Sequence, residues 1–344
     1  MSLDAVPKIL IIRRDNIGDL VCTTPLIHAL RRHFPGGWLG ALVNSYNAPV
    51  LDGNPDLDEI FVYTKAKHRA AGQSLPGILW RRLQMMRRLR TMQLDDVIIA
   101  TTSPQPRIVK LAQWLKPKRI IGFGDVKGLD VALPLDNANR HEVEDVFRVA
   151  SLYGITGAPP ACRVHAPAAA TPAPALCVPP GTLTIGIHIS ARKPSQRWPA
   201  QRFAETIRAI AAQGPAHFML LWSPGAEDNP LHPGDNVKAR EVMERVGADT
   251  TVIARPTQTL AELIAALSEC NVLICADGGA MHLAAGLGLP IVCLFGNSGA
   301  TRWRPWGVPC QLLQKPSLDV SDITVADVTS AFNALQAGIP APSA

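Results

Sequence analysis

Short aliphatic runs alternate along this chain with stretches whose apolar positions recur at helical spacing. In the first half, KILII (8–12), WLGALV (38–43), EIFVY (59–63), DDVIIAT (95–101) and RIIGF (119–123) predict strands. Helices are predicted at 20–33, 78–92, 106–115 and 141–153. The second half repeats the scheme, with strands at TIGIHIS (184–190), HFMLLWS (217–223), TTVIA (250–254), VLICA (272–276) and PIVCLF (290–295). Its helices are expected at 199–213, 236–247, 259–268 and 279–287. Strands that are apolar throughout belong to parallel sheets covered by helices on both faces. The pattern therefore predicts an α/β protein of two doubly wound domains.

Between the halves, GAPPACRVHAPAAATPAPALCVPPG (157–181) holds seven prolines and reads as a semi-rigid linker. The expected organisation is a first domain over 1–160, a linker over 161–182 and a second domain over 183–318. A capped helix follows over 319–337, within SDITVADVTSAFNAL (321–335), where Ser321 or Thr324 is the cap, and residues 338–344 are expected to be disordered. Doubly wound sheets bind ligands at the carboxyl ends of their strands. Strand-end loops of both halves are thus expected to face a cleft between the domains.

Composition narrows the class. With 344 residues, 47% hydrophobic and 18% charged, the chain is that of a globular protein, and no apolar run spans a bilayer. The N-terminal MSLDAVPKILIIRR carries an acid where a secretion signal is basic. Seven scattered cysteines without a C-x-x-C fit reduced thiols in a cytoplasm. The net charge of +6 sits in the first half, where residues 1–160 carry 21 Lys/Arg against 15 Asp/Glu. Eight of these basic residues and no acid fall between Lys65 and Arg90, which points to an anionic partner.

Four loops hold the candidate chemistry. In RRDNIGDLVCTTP (13–25), Asp19 follows Gly18 just as a helical pattern begins, and reads either as a helix-capping carboxylate or as a base at a strand's end. HISARKPSQRWP (188–199) crowds Ser190, Arg192, Lys193, Ser195, Gln196 and Arg197 into one loop, an inventory suited to a diphosphate. In WSPGAEDNP (222–230), Glu227 reads as an acceptor for ribose hydroxyls or as a turn acid. In VLICADGGAMHLAAGLGLP (272–290), Asp277, Gly278 and Gly279 precede a helix carrying His282, and free N–H groups at such a helix start hold anions.

Together RRDNIGDLVCTTP, HISARKPSQRWP and DGGAMHLAAGLGLPIVCLFG followed by RWRPWG resemble the heptosyltransferases, glycosyltransferase family nine, over residues 8–335. The resemblance implies a GT-B fold, two Rossmann-like domains facing a central cleft, with acceptor on the first and sugar nucleotide on the second. It implies inverting transfer of heptose from ADP-heptose to an anionic, lipid-linked lipopolysaccharide-core acceptor. Asp19 matches the family's catalytic aspartate, Glu227 falls near its ribose-binding acid, and Asp277, Gly278, Gly279 and His282 match its donor motif. Two positions depart from the pattern: Gln196 stands where many members have lysine, and Gly278 where Ser or Thr is usual. Arg192 or Lys193 is expected to supply the missing charge.

Inverting transfer is a single displacement that needs a base at the acceptor oxygen and donors for the departing diphosphate. Asp19 takes the first task, and the 190–197 loop with the helix start at Gly278 and Gly279 takes the second, with no metal or cofactor required. The D-x-D at Asp56–Asp58 reads as a turn. Gly18 with Arg87, Arg88 and Arg90 of ILWRRLQMMRRLRTM is expected to bind the anionic acceptor at the cytoplasmic face of the inner membrane. The competing reading of that segment is a solvated helix face around a buried Trp80–Leu83–Met86 stripe. A nicotinamide oxidoreductase needs G-x-G-x-x-G after the first strand, where only Gly18 is present. Nucleic acid is not an expected partner, because no aromatics interleave with the 81–90 arginines. A nucleotide-sugar epimerase and a non-catalytic sugar-nucleotide binder remain as alternatives.

Overall fold

A computed structural model describes residues 6–63, 75–136, 138–167, 182–228 and 234–338. The chain forms two compact units, Met1–Val164 and His165–Ala344. The expected tail beyond Gly338 and most of the linker, residues 168–181, lie outside the described residues.

The first unit runs β1 (Lys8–Arg13), α1 (Ile17–Val21), α2 (Thr24–His33), β2 (Trp38–Asn44), β3 (Glu59–Tyr63), α3 (Leu75–Thr91), β4 (Asp96–Ile99), α4 (Pro106–Leu115), β5 (Arg119–Phe123), β6 (Val131–Leu133) and α5 (Glu142–Phe147). Its six strands are parallel, in the order β3-β2-β1-β4-β5-β6. The second unit runs β7 (Leu183–His188), α6 (Ala200–Ala211), β8 (Ala216–Trp222), α7 (Asn236–Val246), β9 (Val252–Pro256), α8 (Leu260–Ser268), β10 (Val272–Ala276), α9 (Gly279–Gly286), β11 (Ile291–Phe295), α10 (Ala300–Trp303), β12 (Cys310–Gln314) and α11 (Val325–Ala337). Its sheet is also parallel, in the order β12-β11-β10-β7-β8-β9. Counted from its own first strand, each sheet has the same doubly wound order, and strand direction of winding reverses at β1/β4 and at β7/β10. Such a switch point opens a crevice at the strands' carboxyl ends.

The strands sit where aliphatic runs predict them because both faces of each sheet are buried. Ile9 to Ile12 and Val272 to Ala276 are all buried. Two edge strands escaped prediction. β6 has only three residues and β12 reads CQLLQ, so neither presents a continuous apolar run. The helix expected over 20–33 is two helices, broken at Cys22 and Thr23. Pro25 lacks an N–H and so fits the first turn of a new helix better than the interior of an old one. The helix expected over 141–153 is α5 followed by a 3-10 segment, Arg148–Tyr153.

α11 belongs to the second unit, capped by Thr324, whose hydroxyl accepts from the Asp327 N–H at 3.1 Å. Trp198 ties it down: the buried indole donates to the Ile323 carbonyl at 3.0 Å and meets the Phe203 ring edge-on at 4.9 Å. Trp198→Ala is expected to lower stability by about 3–5 kcal/mol through cavity formation and the lost indole hydrogen bond. Urea denaturation followed by circular dichroism checks this; a loss below about 1 kcal/mol contradicts it.

Candidate functional site

The switch point of the first sheet is occupied by a buried guanidinium. Arg13 ends β1 with its side chain directed at β4, donating to the Ala100 carbonyl. Its Nη2 donates to Asp19 Oδ1 and to Glu142 Oε1, both at 2.7 Å, and its Nε to Asp15 Oδ1 at 2.8 Å. Burial alone disfavours the cation, but Asp15, Glu142 and Asp19 overcome it and raise the Arg13 pKa. Thr102 fixes Glu142 through both carboxylate oxygens, and Thr101 donates to Asp15 Oδ2 at 3.1 Å.

Asp19 caps its helix with one oxygen and meets Arg13 with the other. It is the third residue of α1, and its Oδ2 accepts from the Asn16 N–H at 3.1 Å, one arm of a capping box, and from Asn16 Nδ2 at 2.8 Å. Yet Oδ1 faces away from the cap to Arg13. Against burial, the Arg13 charge and the Asn16 hydrogen bonds lower the Asp19 pKa. Asp15, on the same guanidinium, goes the other way: burial raises its pKa, Arg13 opposes this, and the Asp19 charge adds to it. One arginine thus holds two carboxylates whose proton affinities are driven apart.

In the second sheet, Gln196 lies buried at the switch point. Its Nε2 donates to Asp277 Oδ2 and to Ser298 Oγ, both at 2.7 Å. The neutral amide therefore spends both hydrogens on a carboxylate and a hydroxyl, joining the 190–197 loop to the ends of β10 and β11. Gly296 permits this approach, since a Cβ there would lie 2.0 Å from the Ser195 carbonyl oxygen. Gly278 caps α9 in an extended conformation open to any residue, and a Cβ there meets nothing within 4 Å. The hydroxyl side chain usual at this position fits; its absence leaves open space beside the helix N–H groups. Gly279 is the first residue of α9, and His282, one turn on, is buried with its ring edge-on to Trp303 at 6.1 Å.

Arg192 and Lys193 are exposed, whereas Arg197 is half-buried. Its Nη2 is bound to the fully buried Asp235 at 2.7 Å, because a buried carboxylate without a cation is costly. Ser190 Oγ accepts from the Ser223 N–H at 2.9 Å, tying the loop after β7 to the loop after β8 that carries the exposed Glu227. Lys238, buried under both, donates to the Ile189 carbonyl at 2.9 Å, and burial lowers its pKa to about 8. Burial and the Lys238 charge take His188 down to about 4. Asp235, Lys238, Ser298, Arg13 and Glu142 were not singled out from the sequence. Glu142 stands 129 residues from its arginine, and only the crossover β1-to-β4 topology reveals the pairing.

Two of the three arginines expected at the acceptor have partners within the first unit. Arg88 pairs with Glu59 at 2.8 Å, and Arg90 donates to the Trp114 carbonyl at 2.9 Å and lies over its ring. The buried stripe of α3 is Ile78, Met86 and Leu89, while Trp80 (56%) and Leu83 (38%) are exposed with Arg81 and Arg87. β3 and α4 set which face is covered, and a pattern mixing arginine with leucine and methionine does not show it. Asp56 and Asp58 are held by His28 and Arg31, which accords with a turn. Gly18 lies buried within α1. No described helix is long and apolar enough to cross a membrane.

The profile of glycosyltransferase family 9 (heptosyltransferase) matches residues 82–317. The chain is 21% identical over 300 residues to an Escherichia coli lipopolysaccharide heptosyltransferase 3, covering 84% of this chain and 83% of that one. Among solved structures it is similar to a family 9 glycosyltransferase from Veillonella parvula (TM-score 0.79, 21% identity, 98% and 99% of the two chains covered). It is similar also to the E. coli heptosyltransferase WaaC with ADP (TM-score 0.74, 16% identity, 95% and 99% covered).

Removing Arg13 leaves three clustered carboxylates without their cation. Arg13→Met is expected to lose about 3–5 kcal/mol at pH 7. In that variant the carboxyl pKa values rise above their unfolded values, so the folded state gains protons and stability recovers as pH falls from 7 to 5. Urea midpoints at both pH values test this; an equal loss at each contradicts it.

Proposed function

The chain belongs to glycosyltransferase family 9, the heptosyltransferases, and we propose that it moves a heptose from ADP-heptose to an anionic lipopolysaccharide-core acceptor with inversion at the anomeric carbon. One observation carries this reading: Asp19, held ionised by Arg13, stands at the switch point of one sheet, while the other sheet's switch point carries an anion-accepting helix start. Solved relatives include WaaC with ADP and with ADP-2-deoxy-2-fluoro heptose, which supports the same donor class here.

In this reading the acceptor hydroxyl attacks the anomeric carbon as the bond to the diphosphate oxygen breaks. The hydroxyl proton passes to Asp19, and the bonding pair leaves with ADP. A carboxylate of lowered pKa is a weak base, but the hydroxyl becomes acidic as its bond to carbon forms, so a late transfer suits it. The N–H groups at Gly278 and Gly279, with Arg192 and Lys193, stabilise the leaving diphosphate, and no metal is assigned a part. Gln196 organises that site through Asp277 and Ser298, where many relatives have a lysine. Glu227 takes the ribose hydroxyls and His282 supports the donor pocket.

Asp15 is the second candidate base, because its raised pKa makes it the stronger proton acceptor of the pair. The two are separated by substitution. Asp19→Asn is expected to lower kcat by about 10²–10⁴ with ADP-induced thermal stabilisation unchanged, while Asp15→Asn keeps most of the turnover. ADP release with and without acceptor measures both; retained activity in Asp19→Asn with loss in Asp15→Asn transfers the role to Asp15.

Peripheral contact with the inner surface of the cytoplasmic membrane belongs to the same reading. Trp80, Leu83, Arg81 and Arg87 give α3 an exposed face that is apolar and cationic together, the chemistry of an anionic bilayer surface. Sedimentation with phosphatidylglycerol vesicles is expected to fall in Trp80→Ser/Leu83→Ser and at high salt. Equal sedimentation of variant and wild type rules this face out.

A further inference from the structure

Arg13 and Arg14 are consecutive, yet the fold treats them in opposite ways. Arg13 meets three carboxylates through its Nε and Nη2 and a backbone carbonyl through its Nη1. Among the described residues Arg14 has no carboxylate partner. Its guanidinium lies 3.8 Å from the centroid of the Tyr63 ring. Its Nε is buried without a hydrogen-bond partner. A second cation, Arg82 of α3, lies over the same ring at 4.4 Å. Burial, with the nearby Arg82 charge adding to it, lowers the Arg14 pKa against the partial relief that Tyr63 gives.

The position is as informative as the charge. Arg14 follows β1 directly, Asn44 ends β2 and Tyr63 ends β3, with Asn44 and Tyr63 in register. Asn44 Nδ2 donates to the Arg14 carbonyl and fixes the backbone there. The two guanidiniums therefore lie along the carboxyl edge of the sheet, the edge from which Asp19 also emerges. A guanidinium offers paired donors to a carboxylate or phosphate, and an aromatic face holds its plane.

We infer that Arg14, Arg82 and Tyr63 form a subsite for one anionic group, a carboxylate or a phosphate, of the sugar that accepts the transferred residue. This rests on the transferase reading and sharpens it. Specificity for an acidic acceptor resides at the ends of β1 and β3, where the bound anion takes up the Arg14 Nε and separates two like charges. Arg88 and Arg90, already committed to Glu59 and Trp114, do not supply it.

The test is calorimetric titration of the full chain with lipid-free acidic core oligosaccharide. Three preparations are used: untreated, phosphatase-treated and carboxyl-reduced. ADP stabilisation is followed in parallel. Arg14→Gln and Arg82→Gln are each expected to weaken binding of the untreated oligosaccharide about tenfold and to leave ADP stabilisation unchanged. Arg82 is exposed on a helix, so its replacement does not endanger folding. Whichever treatment abolishes the difference between variant and wild type identifies the anion as phosphate or carboxylate. Variants that bind like wild type, affinity unmoved by either treatment, or a wild type that binds none of the three preparations overturns the subsite. Loss of ADP stabilisation in the wild type, with oligosaccharide binding intact, strikes the transferase reading and leaves the subsite standing.

Discussion

A single buried cation governs the first unit. Placing a guanidinium at the end of β1, out of water, is tolerable only when anions meet it there. The chain supplies them from three places: the residue two positions on, the first turn of α1, and the start of α5, 129 residues further along. That requirement explains why the β1 loop, the end of β4 at Ala100 to Thr102, and α5 converge on one point. It also explains why Asp19, buried beside the guanidinium, carries its charge so firmly. The convergence of these loops is a consequence of neutralising Arg13.

The second unit reaches its own switch point by a gentler device. Gln196 brings the loop after β7 to Asp277 and Ser298 through an amide, and adds no charge. The surrounding charges are handled one layer below, where Arg197 answers Asp235 and Lys238 closes on the Ile189 carbonyl. Arg192 and Lys193 stay exposed beside this arrangement. Next to the start of α9 there is open space, since a Cβ at Gly278 would meet nothing within 4 Å.

Much of this was legible in the sequence, for a physical reason. A parallel sheet buried on both faces demands uninterrupted aliphatic strands, and KILII or VLICA can be little else. The Gly-Asp and Asp-Gly-Gly turns stand out because they follow such strands at once. What escaped was everything that depends on a partner far along the chain. Arg13 reads as an ordinary basic residue until Glu142 is placed beside it. The pairing of Arg197 shows only once Asp235 is placed beside it. Trp80 and Met86 look like members of one stripe, and only the packing of α3 on β3 and α4 turns one out and the other in. β6 and β12 were missed because short edge strands need no apolar run. Asp19 was posed as cap or base, and the geometry shows that a capping box can hold one oxygen while an arginine holds the other.

Arg13 stands between two aspartates, Asp15 and Asp19, whose proton affinities are driven apart. Carbon-13 carboxyl NMR of the full chain, with the Asp15 and Asp19 signals assigned by single substitution, reads both titrations directly. Asp19 is predicted to titrate below the ordinary aspartate range and Asp15 above it. Titration of Asp19 at or above Asp15 would contradict the assignment of the base and of the guanidinium that prepares it.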